Sequence, residues 1–224
     1  MLEELKEAVL EANLALHRYG LVKATSGNVS ARDRASGLIA IKPSGYEYSK
    51  LTRETIVVVD PEGKVVEGGL TPSADTASHL YVYGHMDEIH GIAHTHSPYA
   101  TSFALRGETI PICLTALAME FGREIPVSDF AVIGGEEIGK AIVERYNGCP
   151  AILMRNHGVF TIGENPQAAL KAAVMLEEAA QTVHYAMLRG AVRTLPERVI
   201  EESYLFYQKV YGQKQPPADI QKKN

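Results

Sequence analysis

Residues 55–68, TIVVVDPEGKVVEG, decide what kind of sheet this chain builds. Two β-branched runs, TIVVVD and KVVEG, flank Pro61-Glu62-Gly63. Runs of this kind around a short turn carrying proline and glycine predict a β-hairpin. A hairpin joins antiparallel neighbours, whereas parallel strands need a long crossover. A mixed sheet is therefore expected over a purely parallel one, however many helices surround it.

Helices do surround it. Upstream, Leu2, Leu5, Val9, Ala12 and Leu16 recur at helical spacing, and Gly20 marks the stop. The polar loop ATSGNVS (24–30) follows, then LIAIK (38–42) as a strand and PSGYEYS (43–49) as a turn. Downstream, Ser73 is placed to cap a helix over about 75–85. IHGIAHTH (89–96) reads as a strand, and SPYATSFAL (97–105) as a helix opened by Pro98. IPICLTALAMEFGREIPV (110–127) fits neither period. GEEIGKAIVERYNG (135–148) reads as an amphipathic helix ended by Gly148, and AILMR (151–155) as a short apolar strand leading into NHGVFTIG. A long alanine-rich helix over 166–189 and a last one over about 196–207 complete the pattern. The expectation is a single α/β domain over 1–214 with a central, largely antiparallel mixed sheet covered by helices. The proline-containing stretch 215–224 is expected to be a flexible polar tail.

The formal net charge of −5 argues against nucleic acid as a partner, since a phosphate backbone calls for a basic face. A small phosphate ester needs only a few local donors, so acidity does not exclude one. No apolar run approaches the ~20 residues needed to span a bilayer, and the N-terminal segment is too acidic for a targeting peptide. A cytoplasmic protein without a membrane partner is expected. Cys113 and Cys149 form no CxxC pattern and read as reduced thiols.

His94-Thr95-His96 is the sharpest chemical signal. Residues two apart on a strand point the same way, so both imidazoles reach one ion from one face. His157, in Asn156-His157-Gly158 directly after the strand AILM, stands at a strand end beside glycine, where ligands approach. Asp75, ahead of the HxH strand, offers a carboxylate. Three histidines and a carboxylate with an open position suit catalytic zinc, and another divalent transition metal would also accept them. His79 shares a helix face with Asp75 and is a candidate to support it from behind. His17, His85, His90 and His184 read as packed or solvated. Two loops, Ser26-Gly27-Asn28 and Lys42-Pro43-Ser44-Gly45, combine glycine-permitted backbone donors with polar side chains, and Pro72-Ser73 leads into a helix N-terminus. Beside a metal they point to a phosphorylated substrate.

GNVS, IKPSG, the Pro-Ser-x-Asp-Thr-x-x-His run at 72–79, HTHS at 94–97 and NHG at 156–158 together resemble the class II aldolase/adducin superfamily, over nearly the whole chain. Within it the chain is most similar to the L-ribulose-5-phosphate 4-epimerases, in its opening helix, in Asp75-Thr76 and in Tyr211-Gly212-Gln213-Lys214. The L-fuculose-1-phosphate aldolases, close relatives, typically have Glu where Asp75 stands. The resemblance implies His94, His96, His157 and Asp75 as zinc ligands. It also implies Gly27, Asn28, Ser44, Gly45 and Ser73 as binders of the substrate phosphate and nearby hydroxyls. By the same resemblance Tyr211 acts as an acid/base at a neighbouring subunit's site, and the assembly is a homotetramer with sites between subunits. The substrate it implies is a small phosphorylated ketose.

One departure stands out. Many epimerases carry a catalytic Asp where this chain has Met119, which cannot transfer a proton. Glu120, one residue on, is the substitute, unless the helix is shifted by one. An aldolase cleaving a ketose 1-phosphate is the second reading, and a non-catalytic adducin-like interaction domain a remote third.

Overall fold

The computed structural model describes residues 2–212. The expected tail at 215–224, and the last residues of the expected domain, lie outside the described residues. The strands are β1 (Asn28–Arg32), β2 (Ile39–Ile41), β3 (Val57–Val59), β4 (Val65–Glu67), β5 (Gly91–Thr95), β6 (Ala151–Met154) and β7 (Gly158–Gly163). The helices are α1 (Glu3–Arg18), α2 (Thr76–His85), α3 (Pro98–Arg106), α4 (Thr115–Phe121), α5 (Glu137–Arg145), α6 (Pro166–Met187) and α7 (Glu197–Lys209).

The strands form one seven-stranded sheet in the order β4-β3-β2-β1-β5-β7-β6. Every ladder in it is antiparallel. The hairpin read from 55–68 is its β3–β4 edge. The only parallel pairing among the described residues is a single bridge between Val127 and Leu153, outside the named ladders, so the sheet is less mixed than the sequence suggests.

Side chains alternate across this sheet with period two, as the pleat dictates. Val29, Ala31, Ala40, Val58 and Ala93 face α1 and the start of α6. Ile39, Val57, Val59, Ile92, Phe160 and Ile162 face the other way, against Val82 and Tyr83 of α2, Met86 just past it, and Ile138 and Ile142 of α5. α3, α4 and the rest of α6 close a third cluster over Ala151, Leu153 and Val159. The result is a sheet covered by helices on both faces.

Three elements differ from their sequence reading. The loop ATSGNVS gives way at Asn28 to strand β1, whose polar residues Asn28 and Ser30 are as buried as Val29 and Ala31. β1 meets β2 only from Ser30 on, and Asn13 of α1 serves Val29 instead, accepting from its N–H (2.9 Å) and donating to its carbonyl (3.1 Å). The unassigned 110–127 holds the short helix α4, ended by Gly122 at φ 65. Ser73 does not cap α2. Its hydroxyl accepts from Asp75 N–H at 3.3 Å, while its carbonyl accepts from Thr76, and Asp75 itself takes the capping position.

Candidate metal centre

His94 lies near the end of buried β5, on the face shared with Ile92, between Asn28 of β1 and Phe160 of β7. Its Nδ1 lies 2.9 Å from the Val159 carbonyl and donates to it, which leaves the lone pair on Nε2 facing outward. His96 follows just past the strand, and its Nε2 lies 3.0 Å from His94 Nε2. His157, in the turn between β6 and β7, completes the group: one ligand atom from each histidine lies within 4.8 Å of the others.

Burial and the neighbouring imidazoles keep this group neutral. Burial above all pushes the His94 pKa down to about 3, and lowers those of His96 and His157. Neutral imidazoles converge their lone pairs only where a cation or a proton lies between them. Two zinc–nitrogen bonds of about 2.0–2.1 Å at a tetrahedral angle separate the nitrogens by about 3.3 Å, near the 3.0 Å between His94 Nε2 and His96 Nε2, with all three within 4.8 Å. The donor set thus fits a divalent transition metal. Among the described residues, His157 Nδ1 and Asn28 Oδ1 are buried at the same place with no protein partner, polar capacity that a bound group would use.

Two glycines make the geometry possible. A Cβ on Gly158 would lie 2.5 Å from the Thr95 carbonyl and 2.7 Å from His96 Cδ2. Gly27 sits at φ 73, and a Cβ there would lie 2.8 Å from the His94 carbonyl.

Asp75 approaches from the start of α2. Asn28 Nδ2 donates to its Oδ2 at 2.7 Å and to Ser73 Oγ at 3.1 Å. Burial alone would raise the Asp75 carboxyl, but His94, His79, the Asn28 bond and His157 hold it below the usual carboxylate range. It stays an anion beside the histidines.

A cavity of about 200 Å³ opens over this group. All nine residues expected at the phosphate and metal sites line it: Gly27, Asn28, Ser44, Gly45 and Ser73 with Asp75, His94, His96 and His157. Lys42 lines it too, yet is almost fully buried, donating to the Thr25 carbonyl at 3.0 Å with its ammonium 4.9 Å from the Tyr48 ring. Burial brings its pKa down to about 8, with Asp75 opposing, so most of its charge survives at neutral pH. Beneath it the Tyr48 hydroxyl donates to the Ser26 and Gly27 carbonyls at 2.9 and 3.0 Å. That holds the glycine loop from below. Ile133, two-thirds exposed on the loop before α5, forms part of the rim. No periodicity in the sequence singles it out.

Glu120 and Tyr211 are elsewhere. Glu120 is buried on α4, 2.8 Å from Lys171 of α6, and lines a separate cavity of about 530 Å³ with Gly163 and Ile89. Met119 is half-buried beside Glu120. Tyr211 follows α7, exposed, its ring tilted against Tyr207 at 4.7 Å. Within one chain neither residue lines the histidine cavity.

This arrangement matches known proteins. The model of the family described as the class II aldolase and adducin N-terminal domain matches residues 7–184. A protein named L-ribulose-5-phosphate 4-epimerase UlaF from Salmonella paratyphi C (strain RKS4594) is 43% identical over 191 residues, 80% of this chain and 84% of that one. Among solved structures, an L-fuculose 1-phosphate aldolase superposes with a TM-score of 0.86 at 30% identity, covering 92% of this chain and 96% of that one. The l-fuculose-1-phosphate aldolase of Thermus thermophilus gives 0.71 at 27% identity, over 85% of this chain and 100% of that one. A family model over residues 7–184, a relative 43% identical over 80% of the chain and structural neighbours that share the seven-stranded antiparallel sheet agree: the chain belongs to the class II aldolase and adducin family.

Proposed function

We propose that the protein is a zinc-dependent L-ribulose-5-phosphate 4-epimerase, interconverting L-ribulose 5-phosphate and D-xylulose 5-phosphate. The observation that carries this reading is the single cavity in which three converging histidines and an ionised Asp75 face two glycine loops and Lys42. Kinship at 43% identity to a protein named L-ribulose-5-phosphate 4-epimerase supports this choice of substrate.

The hydrogen on C4 of a 2-ketopentose is not acidic, because no carbonyl adjoins that carbon. Breaking C3–C4 is the accessible route. A base removes the proton of the C4 hydroxyl, C4 becomes an aldehyde, and the C3–C4 electron pair moves onto the C2 carbonyl as an enediolate. Zinc, when bound, supplies Lewis-acid stabilisation of the negative charge that develops there. The backbone donors of Gly27 and Gly45, with Asn28, Ser44 and Ser73, hold the phosphate. The glycolaldehyde phosphate fragment therefore stays, turns about its anchored end and presents its other face. Re-addition inverts C4.

The base in this reading is Glu120 or Tyr211. Neither lines its own chain's histidine cavity. Exposed Tyr211 fits the role at a neighbouring subunit's site in a homotetramer, whereas Glu120 is turned inward to Lys171 and would have to leave that ion pair to serve. A second reading, an aldolase of the L-fuculose-1-phosphate type, is favoured by Met119 and by the structural likeness to such aldolases. It breaks a bond of the same kind and lets the aldehyde leave.

Incubating zinc-loaded protein with L-ribulose 5-phosphate while following D-xylulose 5-phosphate and free glycolaldehyde phosphate separates the two. Metal-dependent xylulose 5-phosphate with little free aldehyde is the expected result. No turnover there, with cleavage of L-fuculose 1-phosphate to dihydroxyacetone phosphate, would replace the epimerase by the aldolase.

A further inference from the structure

Behind Asp75 runs a buried polar seam that the chemistry above does not use. Along α2, Asp75, His79 and Tyr83 stand four residues apart and so share one face of the helix. Along β1, Asn28 and Ser30 stand two apart and face them. The rungs are short: Asn28 Nδ2 to Asp75 Oδ2 at 2.7 Å, Ser30 Oγ to His79 Nδ1 at 2.7 Å, and Ser30 Oγ to the Tyr83 hydroxyl at 2.7 Å. Arg32, the next residue on that face of β1, lies 5.3 Å from the centre of the Tyr83 ring and donates to the carbonyls of Met86 and Ile89 at 3.2 and 2.8 Å, anchoring the far end.

Ser30, His79 and Tyr83 are 0%, 1% and 2% exposed. A seam of apolar residues would fill this space without the cost of desolvating three polar groups. His79 Nε2 is buried with no protein partner among the described residues, one helical turn along α2 from Asp75. The His79 ring also meets the edge of Phe160 at 5.7 Å, and Phe160 stacks on His94 at 4.2 Å. His79 thus backs two members of the candidate metal centre at once.

We propose that His79, held through Ser30 and Tyr83, is a positioning residue that fixes the Asp75 carboxylate for metal binding. The inference rests on the reading of Asp75 as a ligand. Its side chain leaves the helix at the capping position, where nothing in α2 itself dictates a rotamer. The rungs tie α2 to β1 in one register, and β1 carries Asn28 directly opposite His94. Carboxylate and imidazole are thereby referred to the same strand.

The test is zinc affinity, measured by competition with a chromogenic chelator on metal-free protein. His79→Leu is expected to weaken zinc binding tenfold to a hundredfold, the usual effect of removing a group that supports a metal ligand. His79→Gln, which restores a polar partner for Ser30, is expected to recover part of the loss. In an Asp75→Ala background His79→Leu is expected to add nothing, because the two act through one carboxylate. Tyr83→Phe deletes a single oxygen at the far end of the seam and covers the case in which His79→Leu does not fold. It is expected to weaken zinc in the same direction by a smaller factor. Unchanged zinc affinity in these variants, with only the melting temperature lowered, would make the seam purely structural and overturn the proposal. Parent-like affinity in Asp75→Ala alone would instead remove Asp75 from the ligand set, a failure of the underlying reading that this design tells apart.

Discussion

Gly158 leaves the space that the His96 ring occupies: a Cβ there would lie 2.7 Å from His96 Cδ2, and 3.4 Å from His94 Cε1. The hydrogen at this position leaves room for the His94 and His96 rings side by side. Gly158→Ala is expected to push His96 away and weaken zinc at least tenfold. The overpacking itself costs about 1–3 kcal/mol of stability. Competition with a chelator and a thermal melt read the two effects separately; zinc affinity equal to the parent's would show that the rings have room to spare.

Lys42 is expected to matter for the substrate and not for the metal. Its ammonium donates to the Thr25 carbonyl beneath the glycine loop and adds a positive charge to a cavity otherwise dominated by Asp75. A hydrogen bond involving a charged group is worth about 1.5–3 kcal/mol, so Lys42→Met should raise KM for the phosphate ester about tenfold or more. Zinc content should stay at the parent level. A variant with unchanged KM would remove the phosphate role.

Glu177 of α6 accepts from the backbone N–H groups of Tyr99 and Ala100, at 2.9 and 2.8 Å. These are free donors of the first turn of α3, which begins two residues after His96. A carboxylate at a helix start is favoured by the dipole as well as by its bonds. Glu177→Ala is expected to cost about 1 kcal/mol and to loosen His96, seen as a lower melting temperature and a faster release of zinc. Parent-like melting would show that α3 caps itself by other means.

Stability of the metal-free protein should fall in acid over a defined window. His79 and His94 are held down to about 4 and about 3 by burial, below the 6.5 of an exposed imidazole. Above pH 6.5 both are neutral whether folded or unfolded, and their contribution is fully present. Below 6.5 the unfolded chain takes up protons that the folded one refuses, so stability drains as the pH falls toward those lower values. At 1.36 kcal/mol per pH unit the loss over those spans is on the order of 3 kcal/mol for His79 and on the order of 5 kcal/mol for His94. Asp75, whose folded value is lowered, adds to the loss only below 3.8. Urea melts between pH 7 and 4 test this, and a flat profile would contradict it.

The sheet is legible in the sequence where side chains are large and apolar, and illegible where they are polar. Val57–Val59 and Val65–Glu67 declare a hairpin by composition alone. Asn28–Arg32 hides a central strand, because Asn28 and Ser30 point to the polar seam on α2 and mimic a loop. α4 is too short to show a period, with only Leu117, Ala118, Glu120 and Phe121 turned inward. The histidines of the cluster are legible because strand geometry puts residues two apart on one side, and His157 because a glycine follows it. Direction is not legible for Glu120. Its neighbour Met119 stands at an informative position, yet the Glu120 side chain meets Lys171 instead of the histidines. Ile133 lies beyond reach for a different reason, being an exposed apolar residue brought to the cavity by the fold alone.

Everything proposed for the site depends on His94, His96 and His157 holding one metal ion with Asp75. Elemental analysis of the purified protein and of His96→Asn, alongside circular dichroism of both, reads this without any assumption about the substrate. Close to one zinc per chain is expected in the parent and almost none in the variant, with the spectra unchanged. A parent that binds no divalent metal under zinc-replete conditions, or a folded His96→Asn variant that keeps its full complement, would contradict it.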